Sequence, residues 1–239
     1  MTNPLPSSPW RTRIWQAFML LAIVAVAVFG YRWWSTHWRP DIALWPTQGV
    51  AIGADNAPVS WPSLASQGIG FAYIDATSGN HQSNPNFTSA LDGARGQGLR
   101  VGAIHYYKLC VTAMEQAESF VRLVPRDDAA LPPLVMLDVD TSCPHQPTRA
   151  LLLSELSTFL TQLETHMGKQ AIIAPSAAFE EQYSVNAAIN RPRMLRTARS
   201  EPAADEPAWL LWLANDRLRI SGSTGPTRLL VLGTQGAQR

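Results

Sequence analysis

The sequence predicts an α/β protein, a parallel sheet or barrel, preceded by one transmembrane helix. Three observations carry that reading. Ile14 to Tyr31 is apolar except for Gln16, just long enough to cross a bilayer. From Gly49 onward, strand-like and helix-like segments alternate, the pattern of βα units. Leu134-Val135-Met136-Leu137 is an apolar run of the kind found in a strand covered on both faces, and it leads into Asp138-Val139-Asp140.

The apolar segment comes first. Arg11 and Arg13 precede it, Arg32 and Arg39 follow, and Trp10, Trp33, Trp34 and Trp38 crowd its ends, as interfacial anchors do. A cleaved signal peptide competes, because Ala25-Val26-Ala27 offers small residues. Cleavage there would cut inside the apolar run, which favours an uncleaved anchor. The expected organisation is a short cytoplasmic N-terminus at 1–13, an anchor at 14–31, a juxtamembrane linker at 32–46 and a folded domain at 47–239. That domain is expected on the extracytoplasmic, periplasmic side of the cell membrane.

Phe71-Ala72-Tyr73-Ile74 reads as a strand, and 88–97 as a helix stopped by Gly98. Val101 to Tyr107 is the next strand and Ala113 to Leu123 the next helix. After the strand at 134–140, a long helix is expected over 148–166, stopped by Gly168. Ala171 to Ala174 is a further strand. Beyond Pro192 the alternation weakens: 210–214 and 229–232 are strand-like, with no long helix between them.

At 239 residues and 46% hydrophobic content, the chain can bury one large core or two small ones. A net charge of +1 gives no electrostatic case for nucleic acid. Cys110 and Cys143 both fall in the exported part, where a disulfide is allowed. Each lies five residues past a strand residue, His105 and Asp138, so neighbouring strands would put both cysteines in adjacent loops. Closing that loop stabilises a fold by roughly 3–4 kcal/mol on the chain-entropy model; two free thiols are the alternative. No metal-ligand spacing involves either cysteine, and no cofactor or metal is expected.

Side chains alternate along a strand, so Asp138 and Asp140 would point the same way, about 6–7 Å apart. Acids at the carboxyl end of a parallel strand stand where barrels and open sheets build their sites. A solvated pair opening a turn is the plainer reading, since Thr141 and Pro144 follow.

The order of segments resembles glycoside hydrolase family 25, the muramidases that cut peptidoglycan glycan. Gly49-Val50-Ala51-Ile52-Gly53 running to Trp61 is similar to the family's Gly-Val-Asp-Val-Ser and its following Trp. Phe71 through Gly79 resembles Phe-x-Tyr-Ile-Lys-Ala-Thr-Glu-Gly, and Asn84-Pro85-Asn86-Phe87 resembles Asp-Pro-x-Phe. Gly98-Leu99-Arg100-Val101-Gly102-Ala103-Ile104-His105-Tyr106 looks like Gly-Leu-x-Val-Gly-Ala-Tyr-His-Phe, and Glu115 to Phe120 like Glu-Gln-Ala-x-x-Phe. Asp138-Val139-Asp140 then stands where the family has Asp-Val-Glu. The resemblance implies a TIM-like (β/α) barrel with few helices in its last third, its active face at the carboxyl ends of the strands. It implies action on, or binding to, peptidoglycan glycan strands, with hydrolysis of the MurNAc–GlcNAc β-1,4 bond in an active member.

Departures fall on the chemical positions. Ala51 stands where the opening Asp is expected, Ala174 where a Tyr is, Asn215 ends a Trp-Leu-Ala-Asn that replaces Trp-Gln-Tyr-Ser, and Val231 falls at a late Asp. Asp75 and Ser78 replace a Lys and a Glu. Asp140 keeps the carboxylate of the presumed acid on a shorter arm, and a misplacement near 1 Å can cost about 10²-fold in rate. Glycoside cleavage needs a protonated carboxyl and an anion beside the oxocarbenium-like centre. Asp138 and Asp140 are the residues that could divide those roles. Tyr73, Tyr107 and Trp212, with Tyr106, could offer faces to sugar rings, and His105 sits at a family position. A barrel that has lost supporting acids also fits a pseudoenzyme that binds glycan or docks a protein, as an immunity or assembly factor would. Asp138-Val139-Asp140-Thr141 resembles the first motif of haloacid dehalogenase-like phosphatases too, but Lys169 is the lone downstream lysine and Asp205 and Asp216 form no acidic pair.

Overall fold

The computed structural model describes residues 9–80, 82–141, 143–203 and 205–233; most of the expected cytoplasmic segment 1–13 lies outside them. Helix α1 (Pro9–His37) is longer than the apolar run that seeds it, and its stretch from Thr12 to His37 is long and apolar enough to cross a membrane. The following strands and helices are β1 (Gln48–Ile52), α2 (Trp61–Ser66), β2 (Ile69–Ser78), β3 (Gln82–Ser83), α3 (Phe87–Arg95), β4 (Arg100–Tyr107) and α4 (Ala113–Leu123). Then come β5 (Leu134–Leu137), α5 (Arg149–Met167), β6 (Ile172–Pro175), α6 (Ala177–Tyr183), α7 (Val185–Ala188), β7 (Met194–Leu195), β8 (Leu211–Leu218) and β9 (Thr227–Leu232).

Among the described residues, eight strands line up in the order β6-β5-β4-β2-β1-β9-β8-β7, with β3 paired to β2 at the side. A parallel bridge between Ile173 and Arg193 brings the two ends together, so the sheet is a nearly closed barrel. Of the eight strands in that order all run parallel except β9, which is antiparallel to both β1 and β8; the short β3 is antiparallel to β2. Helices alternate with strands as far as α7, and among the described residues none lies between β7, β8 and β9. A two-residue hairpin-like return cannot follow a parallel strand, whereas an antiparallel β9 needs only a turn after β8. The weak pattern after Pro192 is therefore a real change of architecture.

Alternation along the strands divides the core into two layers. Inward residues such as Ala51, Phe71, Tyr73, Ile104, Met136, Ala174 and Leu230 fill the barrel. Outward residues such as Val50, Ala72, Val101, Val135 and Ile173 pack under the helices. Helix α5 starts at Thr148, whose hydroxyl accepts from Leu151 N, and ends at Gly168 with φ 67°. That left-handed turn suits glycine and matches the expected stop.

Residues of the segment expected as a juxtamembrane linker pack on the barrel. Asn215, fully buried, donates to Ser35 O and Trp38 O at 3.0 and 2.8 Å. Arg219 N donates to Thr36 O at 2.7 Å, and Trp38 and Trp45 meet Trp212 at 6.1 and 5.5 Å between ring centroids. Asn215 satisfies carbonyls that the end of a helix leaves open, and it fixes α1 beside β8.

His105 faces outward from β4 and is fully buried. One ring nitrogen meets Thr77 Oγ1 at 2.7 Å and the other Gln116 Oε1 at 3.2 Å, with Phe159 at 4.8 Å. Burial pulls its pKa down to about 4, against a smaller opposing effect of the Gln116 hydrogen bond. The unfolded chain, with a histidine near 6.5, binds the extra proton first. Stability from this group is therefore complete above about pH 6.5 and lost as pH falls towards 4, by roughly 3 kcal/mol in all. Denaturant titrations between pH 7 and 4 should show that slope, and His105→Gln should flatten it.

Candidate active site

The inward rows of the barrel continue to the carboxyl ends of the strands, and there the chemistry changes from apolar to charged. Asp75 follows Phe71 and Tyr73 on β2, Tyr106 follows Ile104 on β4, and Asp138 follows Leu134 and Met136 just past β5. Arg196 follows Met194 just past β7, and Arg228 precedes Leu230 on the antiparallel β9. The period of two along each strand brings these five side chains to one end of the barrel.

Arg228 makes the central contacts. Its register partner on β1 is Ala51, and Ala51 is in turn opposite Tyr73 on β2. The guanidinium crosses β1 and donates to Asp75 Oδ1 at 2.6 Å and to the Tyr106 hydroxyl. Tyr106 itself donates to Asp75 Oδ1 at 3.0 Å. The crossing needs small residues beneath it. A Cβ on Gly53 would stand 2.7 Å from Asp75 Oδ2, and Ala51 adds only a methyl. Burial works against the charge on Arg228, but Asp75 and Tyr106 more than offset it, so its pKa rises. Burial is also the largest cause lifting the Tyr106 phenol above its ordinary value.

Strand β5 ends at Leu137, so Asp138 and Asp140 lie just past the strand rather than on it as expected. Asp138 is half exposed and pairs with Arg196, Oδ1 to Nη1 at 2.7 Å. Asp140 is more covered, and Lys108 Nζ lies 3.6 Å from its Oδ2. A disulfide joins Cys110 to Cys143, with Cα atoms 5.6 Å apart, so the loops after β4 and β5 are tied next to both residues. Cys143 N donates to Asp140 O at 3.2 Å. On the far side of the rim, Arg199 and Arg217 bond to Asp216. Burial resists the charge on Asp216, yet those hydrogen bonds hold its carboxyl below the usual carboxylate range.

The four residues expected to receive sugar are placed elsewhere. Tyr73, His105, Tyr107 and Trp212 are 1, 0, 4 and 0% exposed. His105 and Tyr107 lie on the outward row of β4 under Phe159, and Trp212 lies on the outward row of β8 under Trp38 and Trp45. Tyr73 points inward, but towards the amino end, where its hydroxyl donates to Pro132 O at 3.0 Å. Parity decides each case, and Tyr106, one residue from both His105 and Tyr107, is the aromatic that reaches the mouth. Val231, set against a late family Asp, is buried in the outer layer; Arg228 takes the mouth position on that strand. Among the described residues, no group of three or more His, Cys, Asp or Glu could hold a metal ion.

Four carboxylates at this end each lie within ion-pair distance of a cation: Asp75 with Arg228, Asp138 with Arg196, Asp140 with Lys108, Asp216 with Arg199.

Residues 52–221 match the model of the glycosyl hydrolases family 25. The uncharacterized protein YegX of Escherichia coli strain K12 is 26% identical over 204 residues, covering 83% of this chain and 74% of that protein. Lysozyme M1 of Streptomyces globisporus is 30% identical over 122 residues, covering 49% of this chain and 38% of that one. Among solved structures, a family 25 glycosyl hydrolase from Bacillus anthracis superposes with a TM-score of 0.75 at 26% identity, covering 85% of this chain and 96% of that one. A bacterial lysozyme from Streptomyces coelicolor superposes at 0.71 with 20% identity, covering 80% and 94%.

Proposed function

Because the chain belongs to family 25 of the glycosyl hydrolases, we propose that it is a membrane-anchored, periplasmic barrel that binds peptidoglycan glycan, with hydrolysis of the MurNAc–GlcNAc bond reduced or lost. The observation that carries the reading is the Arg228 crossing. Where the family resemblance leads one to expect an opening acid, Ala51 leaves room for a guanidinium, and a cation there opposes an oxocarbenium-like centre. Asp138 and Asp140 remain the residues through which any residual turnover would run, Asp140 as acid and Asp138 as the charge stabiliser. An apolar N-terminal helix and a disulfide support passage through the secretory pathway, and the packed end of α1 supports retention as an anchor.

Purified full-length chain incubated with cell walls should sediment with them and release reducing ends at the background rate. Clear release that disappears in Asp140→Asn would establish a working muramidase instead. Loss of wall binding in the intact chain would remove the glycan reading altogether.

A further inference from the structure

The amino end of the barrel, opposite the mouth, holds a cavity of about 600 Å³, within the roughly 300–1,000 Å³ of small-molecule sites. Its walls are apolar and aromatic: Phe71, Leu131, Ile172, Trp209 and Leu211 among them. Arg100, Lys169 and Arg193 line it as well, and no Asp or Glu does.

These cations differ from those at the mouth. Among the described residues no salt bridge reaches Arg100, Lys169 or Arg193, whereas Lys108, Arg196, Arg199 and Arg228 all have carboxylate partners. Lys169 Nζ donates to Asp128 O at 2.6 Å and to Ala130 O, and Arg193 to Ala208 O at 3.1 Å. Backbone carbonyls orient these groups without cancelling their charge. The cavity therefore joins an apolar interior to an uncompensated positive lining. An apolar approach adjoins it: Ile42 and Leu44 are 50 and 65% exposed, Ile42 lies against Gly68, and Gly70, two residues on, lines the cavity.

We propose that this cavity binds a long-chain carboxylate, a single-chain fatty acid with its tail against Phe71, Ile172 and Leu211 and its head among Arg100, Lys169 and Arg193. One apolar chain suits the lining, and charge complementarity selects an anion over a neutral or cationic amphiphile. The proposal is independent of the glycan reading, since it concerns the other end of the barrel.

The full-length chain in phosphatidylcholine nanodiscs, illuminated with a photoreactive dodecanoic acid, tests it. Peptide mapping should place the label on residues 70–73, 131–132 and 208–211. Dodecanoate should displace the probe roughly tenfold better than dodecanol or dodecyltrimethylammonium, and the double variant Arg100→Gln/Arg193→Gln should cut labelling by a similar factor at an unchanged melting temperature, as loss of charge-assisted hydrogen bonds requires. Label confined to α1, or equal displacement by the cationic amphiphile, would overturn the proposal.

Discussion

Trp212→Ala is expected to destabilise the chain by about 3–5 kcal/mol, the range for emptying a large buried aromatic site. Trp212 is fully buried, packs edge-on to Trp38 and Trp45, and donates from Nε1 to Thr197 O at 2.9 Å. Its removal leaves a cavity between β8 and the end of α1, and an unpaired carbonyl at the start of the Arg199 loop. Neither neighbour can collapse freely, because Asn215 pins the helix end on one side and β9 holds β8 on the other. Thermal unfolding of the full-length chain in detergent should fall by roughly 10 °C, with Trp212→Phe losing less. Wild-type stability with weakened wall binding would restore Trp212 as a sugar-contacting residue and undo its assignment to the outer core.

Removing the disulfide should cost nearly as much. Cys110 and Cys143 are 33 residues apart in sequence, and the loop they close contains α4 and β5. The unfolded chain without that crosslink gains conformational freedom equivalent to roughly 3–4 kcal/mol. The double variant Cys110→Ala/Cys143→Ala should melt well below the oxidised parent and be indifferent to reductant, while the parent drops to meet it when reduced. The bridge also secures the turn from Asp140 to Cys143, so wall binding should weaken in the variant at temperatures where it remains folded. An unchanged melting point would mean that the loops after β4 and β5 are held by packing alone.

The fold was legible where one period dominated. The strands at β2 and β4, the Thr148 start and Gly168 stop of α5, and the change of architecture after Pro192 all follow from residues visible in the sequence. The extent of α1 was not, because Arg32 to His37 carry no apolar periodicity and are helical through contacts with β8. The two-residue β7 has too few positions to show any alternation. The mouth is partly legible: an apolar run leads directly to Asp138, which the structure sets at the carboxyl end of β5 beside Arg196. Arg196 and Arg228 were missed for one reason: each lies where direction or length hides the strand, so nothing local indicates that its side chain turns into the barrel. The four aromatic and histidine positions failed on parity, since a residue type suited to stacking on sugar is equally suited to a hydrophobic layer.

The register of β9 against β1 also ties the residues at 51 and 228 to one another. A carboxylate introduced by Ala51→Asp would lie beside a guanidinium already committed to Asp75, and the two acids would compete for it. Removing Arg228 alone would leave Asp75 without its counter-ion. Substitutions at 51 and 228 should therefore be non-additive, each altering the cost of the other.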